Sequence, residues 1–154
     1  MLGRTHLAFG FLAALFTYSF FKINVFLFFG LVLLGSLIPD IDHPKSKLGK
    51  KLGIVSQLFN WMFGHRGFLH SLYFSMIVFI PIYIFAGYEY GLAILIGFLS
   101  HIASDGLNFA GINLLHPFPQ LKISGFIETG SILEMILFLA IVAASSLKLY
   151  LIFF

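Results

Sequence analysis

His101 and Asp105 stand four residues apart in an apolar stretch, with Gly97-Phe98-Leu99-Ser100 before them and Leu107-Asn108-Phe109 after. On a helix that spacing stacks both side chains on one face. An imidazole and a carboxylate so placed suit a divalent metal, with Asp105 either joining or orienting the ligation by His101. The plainer alternative is a polar pair that fixes helix packing. Two ionisable groups in apolar surroundings are costly, which favours the functional reading. Ser104 and Asn108 lie near the same stripe and read as supporting or packing residues.

A second cluster is Asp40-Ile41-Asp42-His43, set between Pro39 and Pro44. Mixed carboxylate and imidazole donors suit Zn²⁺ or Mn²⁺. Acids at a helix C-terminus oppose its dipole, so a cation explains them better than a merely solvated turn. The third is His65-Arg66-Gly67-Phe68-Leu69-His70-Ser71. Two histidines flanking an arginine could hold a metal and a phosphate oxygen together, since guanidinium offers a planar donor fork. An interfacial patch meeting anionic headgroups would explain them equally well. His6 and Glu134 are weaker as lone residues, Glu134 the stronger of the two because its run is apolar. His116 and Glu128, in a loop, are the weakest.

These residues must be carried by an unusual chain. Sixty per cent of its 154 residues are hydrophobic, 10% are charged, and 21 are Phe. Water cannot be the only solvent for so apolar a surface. The absence of cysteine excludes thiolate ligands, disulfides and Cys nucleophiles. A net charge of +3 without long basic runs argues against nucleic acid as a partner. Five hydrophobic segments are expected as membrane helices, at roughly 6–21, 23–38, 69–86, 90–109 and 130–153. Residues 1–21 could pass for a signal peptide, but the next apolar segment follows at once, so a retained first helix is expected. Ile54 to Phe63 is too short to span and has helical apolar spacing, which predicts an interfacial helix. Residues 110–129, rich in Gly, Pro and Asn, read as a loop, in part re-entrant. The expectation is a single all-α domain over 1–154, a polytopic membrane helical bundle with about five transmembrane helices.

Five crossings sort the polar residues. All six His and five of the six acids fall on the side of the N-terminus, with Glu89 alone opposite. Seven of the nine Lys and Arg share that side; Lys22 and Lys148 do not. That bias predicts a cytoplasmic N-terminus and site in a multi-pass cell-membrane protein.

Leu37-Ile-Pro-Asp-Ile-Asp-His-Pro-Lys-Ser46, Gly64-His-Arg-Gly-Phe-Leu-His-Ser71 and Gly97-Phe-Leu-Ser-His-Ile-Ala-Ser-Asp105 occur in that order. Together with an N-terminal His6 and Gly130-x-x-x-Glu134, they resemble the YdjM-type family of membrane-bound metal-dependent hydrolases, over nearly the whole chain. That family is distantly similar to bacterial zinc phospholipase C, a helical enzyme with a multinuclear zinc site. The resemblance implies metal ligands at His6, Asp40, His43, His65, His70, His101, Asp105 and Glu134, with Asp42 near them. His116 and Glu128 fall outside the implied set, and Leu69 stands where the family often has Thr.

So many N and O donors exceed the four of one zinc, so two or three ions, Zn or else Mn, are expected. Paired ions suit phosphoester hydrolysis, here of a lipid or lipid-linked substrate at the cytoplasmic face, with membrane lipids as surroundings. Asp40 or Glu134 would be general base or bridging ligand. Arg66, with Lys45 or Lys122, would hold the phosphate. A membrane metalloprotease is an alternative, although the H-E-x-x-H helix of that class is missing. A non-enzymatic metal-binding or transport protein is another, although Glu89 is the only acid on the far side.

Overall fold

The computed structural model describes residues 1–43, 46–63, 66–118 and 121–153. Lys45 and His65, two of the residues singled out above, lie outside them. Among the described residues the chain forms seven α-helices: α1 (Gly3–Thr17), α2 (Val25–Gly35), α3 (Lys47–Leu52), α4 (Ile54–Phe63), α5 (Leu72–Ala86), α6 (Tyr88–Gly106) and α7 (Ile132–Phe153). Short 3₁₀ turns at Pro39–Asp42 and Phe68–His70 carry much of the polar chemistry.

Local sequence sets the helix starts. Asn24 Oδ1 accepts from the backbone N–H groups of Phe26 and Leu27 and opens α2. Ser71 Oγ does the same for Phe74 at the start of α5, and Ser131 Oγ for Glu134 in the first turn of α7. Helices α5 and α6 are joined by Gly87 alone, at φ +110°, a region that L side chains avoid.

Helix α6 is the hub: α1, α2 and α5 all pack on it, while α7 lies along α1. The α2–α6 contact is backbone to backbone. A Cβ at Gly97 would run into the carbonyl oxygen of Val32 and come within 2.8 Å of Ser36 N; one at Gly35 would strike the carbonyl of Ile94. Around this crossing lie the buried apolar residues Ala14, Phe28, Val32 and Ala93, with Phe98, Ile102 and Ile112 further along α6.

The five expected hydrophobic segments are all helical, as α1, α2, α5, α6 and α7. Two stretches among the described residues, Val25–Asp42 and Ile132–Phe153, are long and apolar enough to cross a bilayer. Helices α1 and α5 have 15 residues each. At a rise of about 1.5 Å per residue they reach roughly 22 Å, short of a hydrocarbon core of about 30 Å. Helix α6 has 19 residues but includes Glu89, His101 and Asp105. Helix α7 turns almost its whole apolar surface outward, from Ile132 to Phe153. Helix α4 matches the expected amphipathic segment, with Ile54, Val55, Leu58, Trp61 and Met62 exposed and Ser56 buried.

The stretch expected as loop holds a minimal antiparallel ribbon, β1 (Ile112–Asn113) with β2 (Lys122–Ile123), pairing Ile112 with Ile123 and Asn113 with Lys122. Strands of two residues are too short to leave an alternating pattern. The bundle is therefore helical with a small β clip beneath α6.

The glycine crossing makes a matched prediction. Gly97→Ala should cost about 1–3 kcal/mol through overpacking. Gly30→Ala, where a Cβ meets nothing within 4 Å, should be neutral or slightly stabilising. Thermal unfolding of both variants in the same detergent checks this; equal melting temperatures would show that α2 and α6 do not depend on the close approach.

Candidate metal centre

Four elements converge at one end of α6. Helix α1 contributes His6, the turn after α2 contributes Ser36, Asp40 and Asp42, and the segment before α5 contributes Arg66 and His70. Helix α6 itself brings His101, Ser104 and Asp105. His6, Asp42, His70 and His101 are fully buried, Asp105 is 1% exposed and Asp40 7%.

The hydrogen bonds decide which nitrogen each imidazole presents. His101 Nδ1 lies 2.8 Å from the carbonyl oxygen of Ser36. A carbonyl only accepts, so Nδ1 carries the proton and Nε2 presents a lone pair. His70 Nδ1 faces Asp42 Oδ2 at 3.5 Å. Asp42 thus stands behind this ring, where a carboxylate commonly orients a metal-ligating imidazole. The Nε2 atoms of His70 and His101 face each other at 3.2 Å. Asp105 Oδ2 completes a triangle, 3.6 Å from His70 Nε2 and 3.7 Å from His101 Nε2. Donors about 2.0–2.1 Å from a tetrahedral zinc stand about 3.3–3.4 Å from one another. The triangle is within a few tenths of an ångström of that.

The other carboxylate oxygen faces cations. Asp105 Oδ1 accepts from the Met1 ammonium at 2.5 Å and from Arg66 Nη2 at 3.1 Å. One carboxylate is thus divided, Oδ2 toward the imidazoles and Oδ1 toward fixed positive charge. Arg66 is held in turn: its Nη1 donates to Asn108 Oδ1 at 2.9 Å and its backbone N–H to Asp42 Oδ2 at 3.2 Å. It is the one non-glycine among the described residues with positive φ, at +64°. Backbone strain of that kind costs of order 1–3 kcal/mol and persists where surrounding contacts enforce it.

His6 stacks on His101, with ring centroids 3.7 Å apart and planes 11° from parallel. Ser104 Oγ donates to the carbonyl of His101 at 2.7 Å and stands 2.6 Å from His6 Nδ1. His6 Nε2 lies 3.2 Å from the carbonyl oxygen of Met1 and 3.6 Å from Asp105 Oδ1. Two sets of donors thus lie within reach of one ion, His70–His101–Asp105 and His6–Asp40–His101. His101 has only Nε2 to offer, and a neutral imidazole nitrogen binds one ion, so the two sets compete for it.

Of the residues singled out in the sequence, His6, Asp40, His70, His101 and Asp105 are brought together. Asp42 stands behind His70 and Arg66, outside both donor sets. His43 lies at the rim, where it lines two neighbouring cavities. Glu134 is buried elsewhere: Oε1 accepts from Leu2 N at 2.6 Å and Thr5 Oγ1 at 2.8 Å, and Oε2 from Gly130 N at 2.6 Å. This carboxylate clamps the start of α1 to the start of α7, and Ser131-x-x-Glu134 is itself the spacing of a helix N-terminal capping box. Glu128 is exposed. Ser36, through its carbonyl, and Thr129, which accepts from Asn108 at 2.8 Å, serve the site without any mark in the sequence beyond a polar residue near a helix end.

The clamp is testable. Hydrogen bonds to a charged group contribute about 1.5–3 kcal/mol each, so Glu134→Ala should lower the melting temperature substantially while bound metal per folded chain stays at the wild-type level. Loss of metal at unchanged stability would make Glu134 a ligand instead.

The model of the YdjM inner membrane protein family matches residues 1–154. Uncharacterized protein YvsG of Bacillus subtilis (strain 168) is 32% identical over 158 residues, covering 99% of this chain and 97% of its own length. Inner membrane protein YdjM of Escherichia coli (strain K12) and that of Shigella flexneri are each 41% identical over 91 residues, covering 55% of this chain and 46% of theirs. No solved structure matches the chain, and the likeness to zinc phospholipase C has no support from these comparisons. The motifs that build the buried His/Asp centre and a match along the whole chain agree: this protein belongs to the YdjM inner membrane protein family.

Proposed function

We propose that the protein is a membrane-embedded, metal-dependent hydrolase that cleaves a phosphoester of a lipid or lipid-linked substrate. The observation that carries this reading is the buried donor triangle of His70 Nε2, His101 Nε2 and Asp105 Oδ2, with sides of 3.2, 3.6 and 3.7 Å. A cation at that point would be held by both imidazoles and the carboxylate together. Nitrogen and oxygen donors without thiolate suit Zn²⁺ first and Mn²⁺ second.

A divalent ion held by His70, His101 and Asp105 would supply a polarised water near neutral pH and would compensate phosphoryl charge. The chain's own residues do the rest. Asp40, buried but on the wall of an adjoining cavity, is placed to take a proton from water. Asp105 keeps Oδ2 on the imidazoles because Arg66 and the Met1 ammonium fix Oδ1. Arg66 adds positive charge where a phosphate would lie, and Lys122 lines the same cavity. A second ion, on His6 and Asp40 or toward Asp42 and His43, would have to do without His101.

For the whole molecule the reading is a multi-pass bundle with the site at the cytoplasmic face. All five apolar helices cross in this reading, the short ones at a locally thinned bilayer, and seven of nine basic residues lie inside. Membrane lipids are the surroundings and the source of substrate; nucleic acid is no partner.

Elemental analysis of protein purified without chelator should give at least one Zn or Mn per chain. His101→Ala and Asp105→Asn should lose that metal. Both should also lower hydrolysis of a chromogenic phosphodiester by more than about 100-fold, beyond the 10–100-fold typical of residues that merely orient a ligand. Metal-free wild type, or full phosphoesterase activity in both variants, would sink the assignment.

A further inference from the structure

Two cavities flank the centre and share His43 and Thr129 in their walls. Their chemistry is opposite. The first, of about 490 Å³, is walled mainly by apolar surface, with Leu2, Leu7 and Leu37; among the described residues Arg4 and Asp40 are its charged side chains, of opposite sign, and the Met1 ammonium at its wall is taken up by Asp105. The second, of about 520 Å³, carries Arg66 and Lys122 with Asn108 and Asn113 and has no acid in its wall. Both volumes fall in the range of ordinary ligand sites, about 300–1,000 Å³.

The second cavity also holds unmet hydrogen-bonding capacity. Arg66 Nε and Asn113 Oδ1 are buried with no hydrogen-bond partner among the described residues. An orphaned buried donor or acceptor costs about 1–3 kcal/mol, and such groups are otherwise partnered in folded proteins. A cationic wall with one spare N–H and one spare acceptor suits a phosphate oxygen together with a hydroxyl. A mainly apolar cavity alongside suits a hydrocarbon chain.

We infer that the two cavities bind the two ends of one amphiphile: an acyl chain between Leu2, Leu7 and Leu37, and a phosphate-bearing head against Arg66, Lys122 and Asn113, with the junction at His43 and Thr129. For the fate of that ligand the inference rests on the hydrolase reading, because Arg66 touches both the head cavity and Asp105 Oδ1. For binding it does not. A separate anion site and a separate chain site would each serve a different ligand; the shared walls favour a joined one, whose second contact forms at high effective concentration.

The test uses full-length protein in phosphatidylcholine nanodiscs and calorimetric titration, with empty nanodiscs as background. The probes are dodecylphosphonate, dodecanol and methylphosphonate. A phosphonate has no ester to cleave, so binding is read without turnover, and failure of hydrolysis would leave the result intact. Dodecylphosphonate should bind at least about tenfold more tightly than either other probe. Lys122→Ala should weaken dodecylphosphonate about fivefold, roughly the worth of one ion pair in water, and leave dodecanol unchanged. Leu7→Trp, which fills the apolar cavity from its rim, should weaken both long-chain probes and leave methylphosphonate unchanged. Both positions are at least partly exposed, and melting temperatures at the wild-type value confirm the fold. Equal affinity for methylphosphonate and dodecylphosphonate would mean a free-anion site only. Equal affinity for dodecanol would mean a chain site only. Either result, or indifference to both substitutions, overturns the inference.

Discussion

Everything at the centre depends on how closely α2 and α6 approach. Gly35 and Gly97 let the two backbones touch, and that brings the carbonyl of Ser36 within 2.8 Å of His101 Nδ1. The carbonyl belongs to the last turn of α2, where chain-terminal C=O groups have no partner within the helix. It therefore gains a donor that it needs, while His101 is fixed in one tautomer and one orientation. A wider crossing would leave the carbonyl orphaned and the imidazole free to turn. The orientation of His101 toward His70 is thus a product of two glycines, Gly35 on α2 and Gly97 one turn earlier on α6 itself.

The second constraint is charge. Asp42 and Asp105 are buried, and an isolated buried carboxylate is too costly to persist. Asp105 meets it by division: one oxygen takes the Met1 ammonium and Arg66, the other faces the His70 and His101 rings. Asp42 is met by the Arg66 backbone N–H and the His70 ring. Arg66 thus touches both acids, and the left-handed backbone at this residue is what lets one side chain and one N–H reach them from a single position. Asn108 accepts from the guanidinium and donates to Thr129, so the segment leading into α7 belongs to the same polar framework.

Much of this was legible in the sequence, for reasons that differ by residue. The four-residue spacing of His101 and Asp105 and the Pro-bounded Asp40–His43 turn are local signals, and local signals survive folding. Helix positions were equally legible, because apolar periodicity and the breaks at Asn24, Pro39, Gly87 and Gly130 mark them directly. Whether each helix crosses a bilayer is another matter. It depends on tilt, neighbours and membrane thickness, and 15-residue helices such as α1 and α5 do not settle it by length. Which ligand atoms share a space was not legible at all. Asp42 and Asp40 are two residues apart in the chain, yet one stands behind His70 and the other before His6. Glu134 carries two overlapping signals, an acid in an apolar run and the fourth position of Ser131-x-x-Glu134, and its geometry in the structure is that of the cap.

A bilayer changes what holds such a molecule together. Between lipid-facing helices there is little hydrophobic driving force, since acyl chains are as apolar as leucine. The exposed apolar length of α7 accordingly adds insertion rather than cohesion. Close backbone packing and polar contacts remain to associate the helices, and both are concentrated at the same end of α6. His6 ties α1 to it through Ser104, His70 ties the entry of α5, and Ser36 ties the exit of α2. An ion bound by His70, His101 and Asp105 would therefore join the α5 entry to α6 directly and α2 through Ser36, so metal affinity and helix association are one free energy seen from two sides. In a water-soluble enzyme of this size a site can be lost while the apolar core keeps the fold. Here the site occupies the place of the core, and its occupancy has to be read as a property of the whole bundle.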